Sequence, residues 1–208
     1  MNFGIVEHLR SLTDSVIVLF SGGRHSSVLL DLCIERFVRV EAVYLEFLPL
    51  EFRRKQLAEV EARYGMKIRR VVWDRDLAAY LRMPRGRQME EMELFNGRAF
   101  EQVRRETGLW WICWGQRACD SELRKRRLGS EGMNAAAGIA WPLAVWSDAD
   151  VAEYGERWKL IVAPDYQFSR QSLDWPTRRI IAIVQKRFPD ELEGLKLAHS
   201  PPMARGTQ

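Results

Sequence analysis

Residues 16–30 of the chain read Val-Ile-Val-Leu-Phe-Ser-Gly-Gly-Arg-His-Ser-Ser-Val-Leu-Leu. The apolar run at 16–20 is short and rich in β-branched residues, which is typical of a buried parallel strand. Two glycines then allow a tight turn and a close approach of the backbone to a ligand. We expect Ser26 and Ser27 to cap the helix that follows. A glycine turn at a helix N-terminus presents backbone N–H groups and the positive end of the helix dipole, so the pattern predicts a phosphate or pyrophosphate site.

The spacing within this turn separates it from the common phosphate-binding loops. It matches neither G-x-x-x-x-G-K-[ST] nor G-x-G-x-x-G. It reads Ser-Gly-Gly-x-x-Ser, which resembles the pyrophosphate loop (PP-loop) of the adenine nucleotide α-hydrolase superfamily, usually Ser-Gly-Gly-Lys-Asp-Ser. That superfamily includes the N-type ATP pyrophosphatases and the phosphoadenosine phosphosulfate reductases. The resemblance implies nucleotide contacts from Ser21, Gly22, Gly23, Arg24, Ser26 and Ser27. The alternative is an ordinary strand-to-helix turn of small residues.

A second segment carries the same resemblance. Residues 110–114, Trp-Trp-Ile-Cys-Trp, predict another strand, and the spacing Gly-x-Arg-x-x-x-Ser-x-x-Arg follows over residues 115–124. It resembles the segment after the fourth strand of phosphoadenosine phosphosulfate reductases, where these side chains face the anionic end of the nucleotide. The resemblance implies contacts from Gly115, Arg117, Ser121 and Arg124. Arginine suits this use because its charge is permanent and its forked donors match phosphate or sulfate oxygens. We interpret residues 125–127 as a solvated basic face.

A third segment, residues 141–154, resembles a stretch typical of the same family but carries little chemistry. Ser147 and Asp150 have nearly the spacing of a capping box, which predicts a helix start rather than a catalytic role. The resemblance as a whole covers residues 16–155.

The alternation of strands and helices predicts an α/β fold: a doubly wound, mostly parallel sheet of five strands with helices on both faces, like that of the adenine nucleotide α-hydrolases. The predicted strands lie at 16–20, within 38–47, and at 68–73, 110–114 and 139–142, with a strand-like piece at 160–163. Helices are predicted within 1–15 and at 26–37, 51–64 (closed by Gly65), 77–82, 89–107 (one or two helices after a break at 84–87), 147–157 and 175–188. We expect one nucleotide-binding domain over residues 1–198 and a flexible tail at 199–208. Ligands of such sheets bind at the carboxyl ends of the strands, which is where both motifs lie.

The chain departs from the family pattern at Arg24 and His25, which stand where Lys-Asp is usual. His25 can titrate near neutrality or bind an anion when charged; the alternative is a solvent-facing helix residue. The missing acid is often linked to magnesium handling in the family, so a magnesium requirement stays open. After the second strand, Glu46 is a weaker candidate to accept a hydrogen bond from a ribose hydroxyl or an adenine amino group.

The cysteines restrict the redox chemistry that we expect. Cys33 and Cys113 lie in apolar patterns and read as core, and Cys119 alone lies near the expected ligand. No C-x-x-C motif is present, so we expect neither zinc nor an iron–sulfur cluster. Reductases of the family carry a catalytic cysteine in a C-terminal Glu-Cys-Gly-x-His stretch, whereas no cysteine follows Cys119 here. The catalytic residue is therefore unknown, with Arg24, His25 and Cys119 as weak candidates.

Composition is compatible with these expectations. The 208 residues carry a net charge of +4 and are 47% hydrophobic, which allows a sizeable core and suits an anionic ligand. The charge permits contact with nucleic acid without demanding it. No secretory pattern and no apolar run of transmembrane length is present, so we expect a cytoplasmic monomer or homodimer that does not contact membranes.

These observations predict an enzyme similar to the phosphoadenosine phosphosulfate reductases that binds ATP or an adenylyl sulfate, including phosphoadenosine phosphosulfate, as its substrate. Without the family thiol, adenylation of an acceptor is the more natural reaction, because it needs positioning and charge stabilisation rather than a covalent group. Two alternatives are a non-catalytic nucleotide-binding module and a nucleic-acid-binding protein that uses residues 117–127.

Overall fold

The computed structural model describes residues 1–128, 131–163 and 178–192. Within these ranges the strands are β1 (Ser15–Leu19), β2 (Arg39–Glu46), β3 (Ile68–Val72), β4 (Ile112–Cys113), β5 (Met133–Asn134) and β6 (Ile139–Ala140). The α-helices in the same ranges are α1 (Gly4–Leu12), α2 (Arg24–Arg36), α3 (Glu51–Tyr64), α4 (Leu77–Arg82), α5 (Arg85–Thr107), α6 (Glu122–Leu128), α7 (Asp148–Arg157) and α8 (Arg178–Arg187). Short 3-10 turns cover Ala118–Asp120 and Pro189–Leu192.

The strands form one sheet in the order β3-β2-β1-β4-β6-β5. All neighbours pair in parallel except β5 and β6, which are antiparallel. The chain builds outward from β1 on one side and from β4 on the other, so the order of the strands reverses between these two strands. Such a switch point is where open α/β sheets form a crevice for ligands. It lies between the two strands that precede the sequence motifs.

Both faces of the sheet are covered by helices. Val16 and Val18 of β1 pack in a core shared with α1, α2, α3 and α7, and Ile17 and Leu19 of the same strand pack with α5. This alternation is the two-residue period of a strand buried on both sides. The predicted α/β class, the mostly parallel sheet and the doubly wound arrangement are confirmed.

Several element predictions need correction. The sheet has a sixth strand in the described residues, β5, which was not predicted. It pairs with β6 through only two residues, too few to leave a periodic pattern in the sequence. The predicted break is present but lies at Met83 and Pro84, between α4 and α5, rather than over 84–87. Because proline is tolerated at a helix start, Pro84 is the N-cap of α5, and a single helix runs on to Thr107. Residues 160–163 form no strand, because their backbone groups bond instead to Gly22 of the loop after β1 and to Ser27 of α2.

The last predicted helix is seen from Arg178 to Arg187, and its predicted start at 175 lies outside the described residues. The tail at 199–208 lies outside them as well. Val184 of α8 packs on Leu48 and Leu50, which follow β2. No helix within the described ranges combines the length and the apolar character needed to cross a membrane.

Candidate functional site

The loop after β1 is held in shape by α3. Gly22 has a φ of +73°, a left-handed conformation that glycine adopts at little cost. Its carbonyl accepts hydrogen bonds from Gln56 Nε2 at 2.7 Å and from the backbone N–H of Ala163 at 3.0 Å. A Cβ atom added to Gly22 would lie 2.3 Å from Gln56 Oε1 and 2.4 Å from Arg53 Nη1. Only glycine therefore fits at this point of the turn.

Arg53 and Gln56 form a buried pair behind the loop. Neither residue was predicted from the sequence. Arg53 is 1% exposed and Gln56 3% exposed, and Arg53 Nη1 donates to Gln56 Oε1 at 2.7 Å. The available signal was their spacing of three residues in the first turns of α3, which places two polar side chains on one helix face. The pair braces Gly22 and places a permanent cation behind the turn.

The serine hydroxyls of the first motif make hydrogen bonds to protein groups. Helix α2 begins at Arg24 with Gly23 as its N-cap, and no side chain caps it. The prediction that Ser26 and Ser27 cap this helix is therefore wrong; both lie inside its first turns, where Ser26 Oγ donates to Gly23 O at 2.9 Å and Ser27 Oγ to Ile161 O at 2.7 Å. Ser21 Oγ lies 3.2 Å from Ser26 Oγ.

The two motifs meet at Gly115 and His25. A Cβ atom added to Gly115 would lie 3.4 Å from the carbonyl carbon and oxygen of His25. The segment after β4 thus runs in van der Waals contact with the first turn of α2. The sequence resemblance placed these segments together only by analogy. The physical reason for their contact is that β1 and β4 are neighbours in the sheet.

Arg117 is the most deeply buried charge of the second motif. It is 3% exposed, and its Nη2 donates to Asp120 Oδ1 at 2.8 Å and to Asp148 Oδ1 at 2.7 Å. Its Nε and Nη1 are buried and have no hydrogen-bond partner among the described residues. Buried donors are almost always paired, so two open donors on one guanidinium indicate a place for an acceptor.

The pKa values in this cluster reflect burial and ion pairing. Burial alone would lower the pKa of Arg117, but its hydrogen bonds to Asp148 and Asp120 outweigh this and raise it. Burial would raise the pKa of Asp120, whereas the bonds from Arg117 and the charge of Arg124 lower it. Arg117 and Asp120 are therefore both charged at neutral pH. Asp120 and Asp148 stand in the segments that the sequence singled out, but their role as partners of Arg117 depends on the fold.

The other predicted site residues lie on the rim. Arg124 is 44% exposed and donates from Nη1 to Asp120 Oδ2 at 2.7 Å. Ser121 Oγ accepts from the backbone N–H of Arg124 at 3.2 Å and so serves the start of α6. Arg24 is exposed at the start of α2. Cys119 is exposed, and its Sγ lies 3.6 Å from Trp146 O, whereas Cys33 and Cys113 are buried as predicted.

Glu46 is occupied by protein groups. It is buried at the end of β2, and its Oε1 accepts from Arg54 Nε at 3.1 Å and from Arg54 Nη2 at 3.0 Å. Arg70 Nη1 lies 3.8 Å from the other oxygen. These ion pairs account for the buried carboxylate without a ligand.

Comparison with known proteins identifies the family of the chain. The family model described as phosphoadenosine phosphosulfate reductase domain matches residues 15–169, which is most of the chain and includes both motifs. The chain belongs to the phosphoadenosine phosphosulfate reductase domain family. No curated protein matches it.

Two solved structures share the fold at low sequence identity. Phosphoadenylyl-sulfate reductase from Candida auris, in a phosphate complex, is 12% identical with a TM-score of 0.51, and the match covers 77% of this chain and 80% of that one. The U34-tRNA thiolase NcsA from Methanococcus maripaludis, with its [4Fe-4S] cluster, is 13% identical with a TM-score of 0.55, covering 90% of this chain and 76% of that one. At these identities the likeness is one of fold.

The second structure corrects the cofactor prediction. A protein of this fold holds a [4Fe-4S] cluster, so the missing C-x-x-C motif is no ground for excluding iron–sulfur chemistry. The described part of this chain does not itself gather ligands for a cluster: it has no group of three or more His, Cys, Asp or Glu side chains placed to hold a metal ion.

Proposed function

We propose that this member of the family is an enzyme that binds an adenine nucleotide at the crevice between β1 and β4 and transfers its adenylyl group from ATP to an acceptor. The observation that carries the proposal is Arg117, a buried guanidinium with two unpaired donors, whose charge acts on His25 in the first turn of the helix after the glycine turn. A loop of N–H groups and a rigid cation together suit a diphosphate better than either does alone.

The reaction follows from what the site offers. An oxygen of the acceptor attacks the α-phosphorus of ATP; a new P–O bond forms, the bond from the α-phosphorus to the bridging oxygen breaks, and pyrophosphate leaves. Charge builds up on the pyrophosphate, where the N–H groups of the loop and the open donors of Arg117 would stabilise it. Asp120 and Asp148 hold the guanidinium in place, so little reorganisation is needed when the charge develops.

The first experiment measures thermal unfolding with ATP, adenylyl sulfate, phosphoadenosine phosphosulfate and adenosine bisphosphate. A ligand at about a hundred times its dissociation constant stabilises the native state by roughly 2.7 kcal/mol. We expect a clear rise in Tm with ATP, and release of pyrophosphate once an acceptor is supplied. Arg117→Lys keeps the charge but loses the fork, and we expect it to lose most of the nucleotide-dependent rise.

Arg126→Ala is the matched control, because it removes an exposed cation from the same segment. It should keep the nucleotide response of the wild type. A response to the adenylyl sulfates but not to ATP would instead assign the site to handling a phosphosulfate. If no nucleotide raises the Tm of the wild type, the proposal is wrong.

One observation supports a second candidate, a nucleic-acid-associated module. Lys125 and Arg126 are exposed on α6, directly after Arg124, and Arg24 is exposed at the start of α2. The thiolase among the structural neighbours is described as acting on U34 of tRNA, which is a nucleic acid. This candidate predicts RNA binding that weakens steeply with salt and is reduced uniformly across sequences in the Lys125→Ala/Arg126→Ala variant.

A further inference from the structure

His25 lies at the junction of the two motifs, where the family usually has an acid. It is the second residue of α2, and its backbone is in contact with Gly115. The side chain is half-buried and forms no hydrogen bond with any described residue. Its ring nitrogens therefore have no protein partner in the described part of the chain, and the ring lies close enough to Arg117 for that charge to act on it.

The charges that face His25 come from three further segments of the fold. Arg117 and Asp120 lie after β4, Arg124 lies on α6, and Asp148 begins α7. Two are cationic and two anionic, so by count they cancel. Burial decides the balance: it lowers the pKa of His25 below its ordinary value of 6.5, and the positive charge of Arg117 adds to this. The imidazole is thus mostly neutral at neutral pH in the free protein.

An arriving phosphate or sulfate would upset this balance. Both carboxylates already share Arg117, so one more anion adds negative charge that the cluster does not compensate. Protonation of a titratable group in the cluster that is not held in an ion pair then becomes favourable. His25 is that group, because the carboxylates of Asp120 and Asp148 are held in ion pairs with Arg117.

We propose that His25 takes up a proton when the anionic end of the nucleotide binds between the loop after β1 and Arg117, so that the anion is held by an imidazolium as well as a guanidinium. The inference rests on the proposed function, because the ligand is the same nucleotide. The imidazolium would then stand where it can donate a hydrogen bond to a phosphate oxygen of the departing pyrophosphate.

The test uses the whole chain and the small number of its histidines. The sequence contains three, His8, His25 and His199, so the imidazole signals can be resolved by NMR and assigned with His25→Asn. We expect ATP to raise the pKa of His25 measured by NMR. Calorimetry in two buffers of different ionisation enthalpy should show proton uptake by the wild type, and ATP affinity should fall as the pH rises, by at most about tenfold per pH unit because one proton is coupled.

Two variants make the result decisive. In His25→Asn the proton uptake should fall by the amount that His25 contributes. Any protonation change of ATP itself is common to both proteins and cancels in this difference. His8→Asn, on the exposed face of α1, should behave as the wild type. If ATP binds but leaves the pKa of His25 unmoved, or if His25→Asn keeps the full uptake, this inference is wrong while the proposed function stands. If the wild type binds no nucleotide at any pH, both fail.

Discussion

Gly22 is the residue at which local backbone geometry and the site depend on each other most directly. Alanine there must adopt a φ of +73° and place its Cβ within 2.4 Å of both Gln56 and Arg53. The left-handed backbone costs about 1–2 kcal/mol, and overpacking against a buried pair costs about 1–3 kcal/mol more. We expect Gly22→Ala to lower the free energy of unfolding by several kcal/mol in urea titrations and to abolish the nucleotide response.

The control for this prediction is Gly97→Ala in α5. Gly97 is helical, and a Cβ there would meet nothing within 4 Å. Because glycine in a helix is less favourable than alanine by roughly 0.5–1 kcal/mol, this variant should be slightly more stable than the wild type. A Gly22→Ala variant as stable as Gly97→Ala would show that the loop does not need its left-handed turn.

The site residues fall into two groups: those that a short sequence motif identifies, and those whose role depends on long-range contacts. The glycine turn and Arg117 could be found from sequence, because each belongs to a short motif next to a strand. Gln56 could not, since its contact with Gly22 joins residues 34 positions apart and depends on how α3 packs. The pairing of Arg117 with Asp148 is equally long-range, at 31 positions. Spacing cannot reveal such partners without the strand order.

The helices and strands show the same difference between local patterns, which the sequence reveals, and long-range contacts, which it does not. Both ends of α3 agree with the prediction, Glu51 to Tyr64, because Gly65 takes the left-handed C-cap conformation that its type favours. The start of α7 also agrees: Ser147 Oγ accepts from the N–H of Asp150, and Asp150 Oδ2 accepts from the N–H of Ser147. Strand β5 was missed because it depends on its partner β6 rather than on its own two residues.

The capping box of α7 gives a prediction at the scale of the element. Hydrogen bonds from the Ser147 hydroxyl and backbone N–H lower the pKa of Asp150 to about 2, with a further contribution from the N-terminal amine. A carboxyl group whose pKa is lowered on folding stabilises the native state above its unfolded pKa, near 3.8, and loses that effect as the pH falls toward 2. We expect Ser147→Ala to cost about 1 kcal/mol at neutral pH.

Urea unfolding below neutral pH tests the cap further. As the pH falls through this window, Asp150→Asn should lose less stability than the wild type, because it has no cap carboxylate to protonate. Glu153→Gln, which removes an exposed carboxylate from the same helix, controls for net charge. Equal acid sensitivity of Asp150→Asn and the wild type would contradict the cap as the cause.

At the scale of the whole molecule, Asp31 ties together three helices that cover one face of the sheet. It is buried on α2 and accepts from Tyr64 of α3 at 2.6 Å and from Tyr154 of α7 at 2.9 Å. Burial, together with the charge of Asp31, raises the pKa of both tyrosines. These hydroxyls must therefore stay protonated for the three helices to remain packed around one carboxylate.

This cluster predicts how the fold responds to alkali. A tyrosine whose pKa is raised on folding stabilises the native state fully below its unfolded pKa of about 10, and the effect is lost as the pH rises above that value, because the unfolded chain ionises first. At neutral pH, Tyr154→Phe should cost about 1 kcal/mol, the usual contribution of a hydrogen bond. Above a pH of about 10 the variant has one tyrosine fewer to ionise on unfolding, so the stability difference from the wild type should shrink.

Urea unfolding at neutral and alkaline pH, followed by tyrosinate absorbance, measures the stability difference at each pH. A difference that stays constant with pH would mean that Tyr154 ionises as easily in the native state as in the unfolded chain.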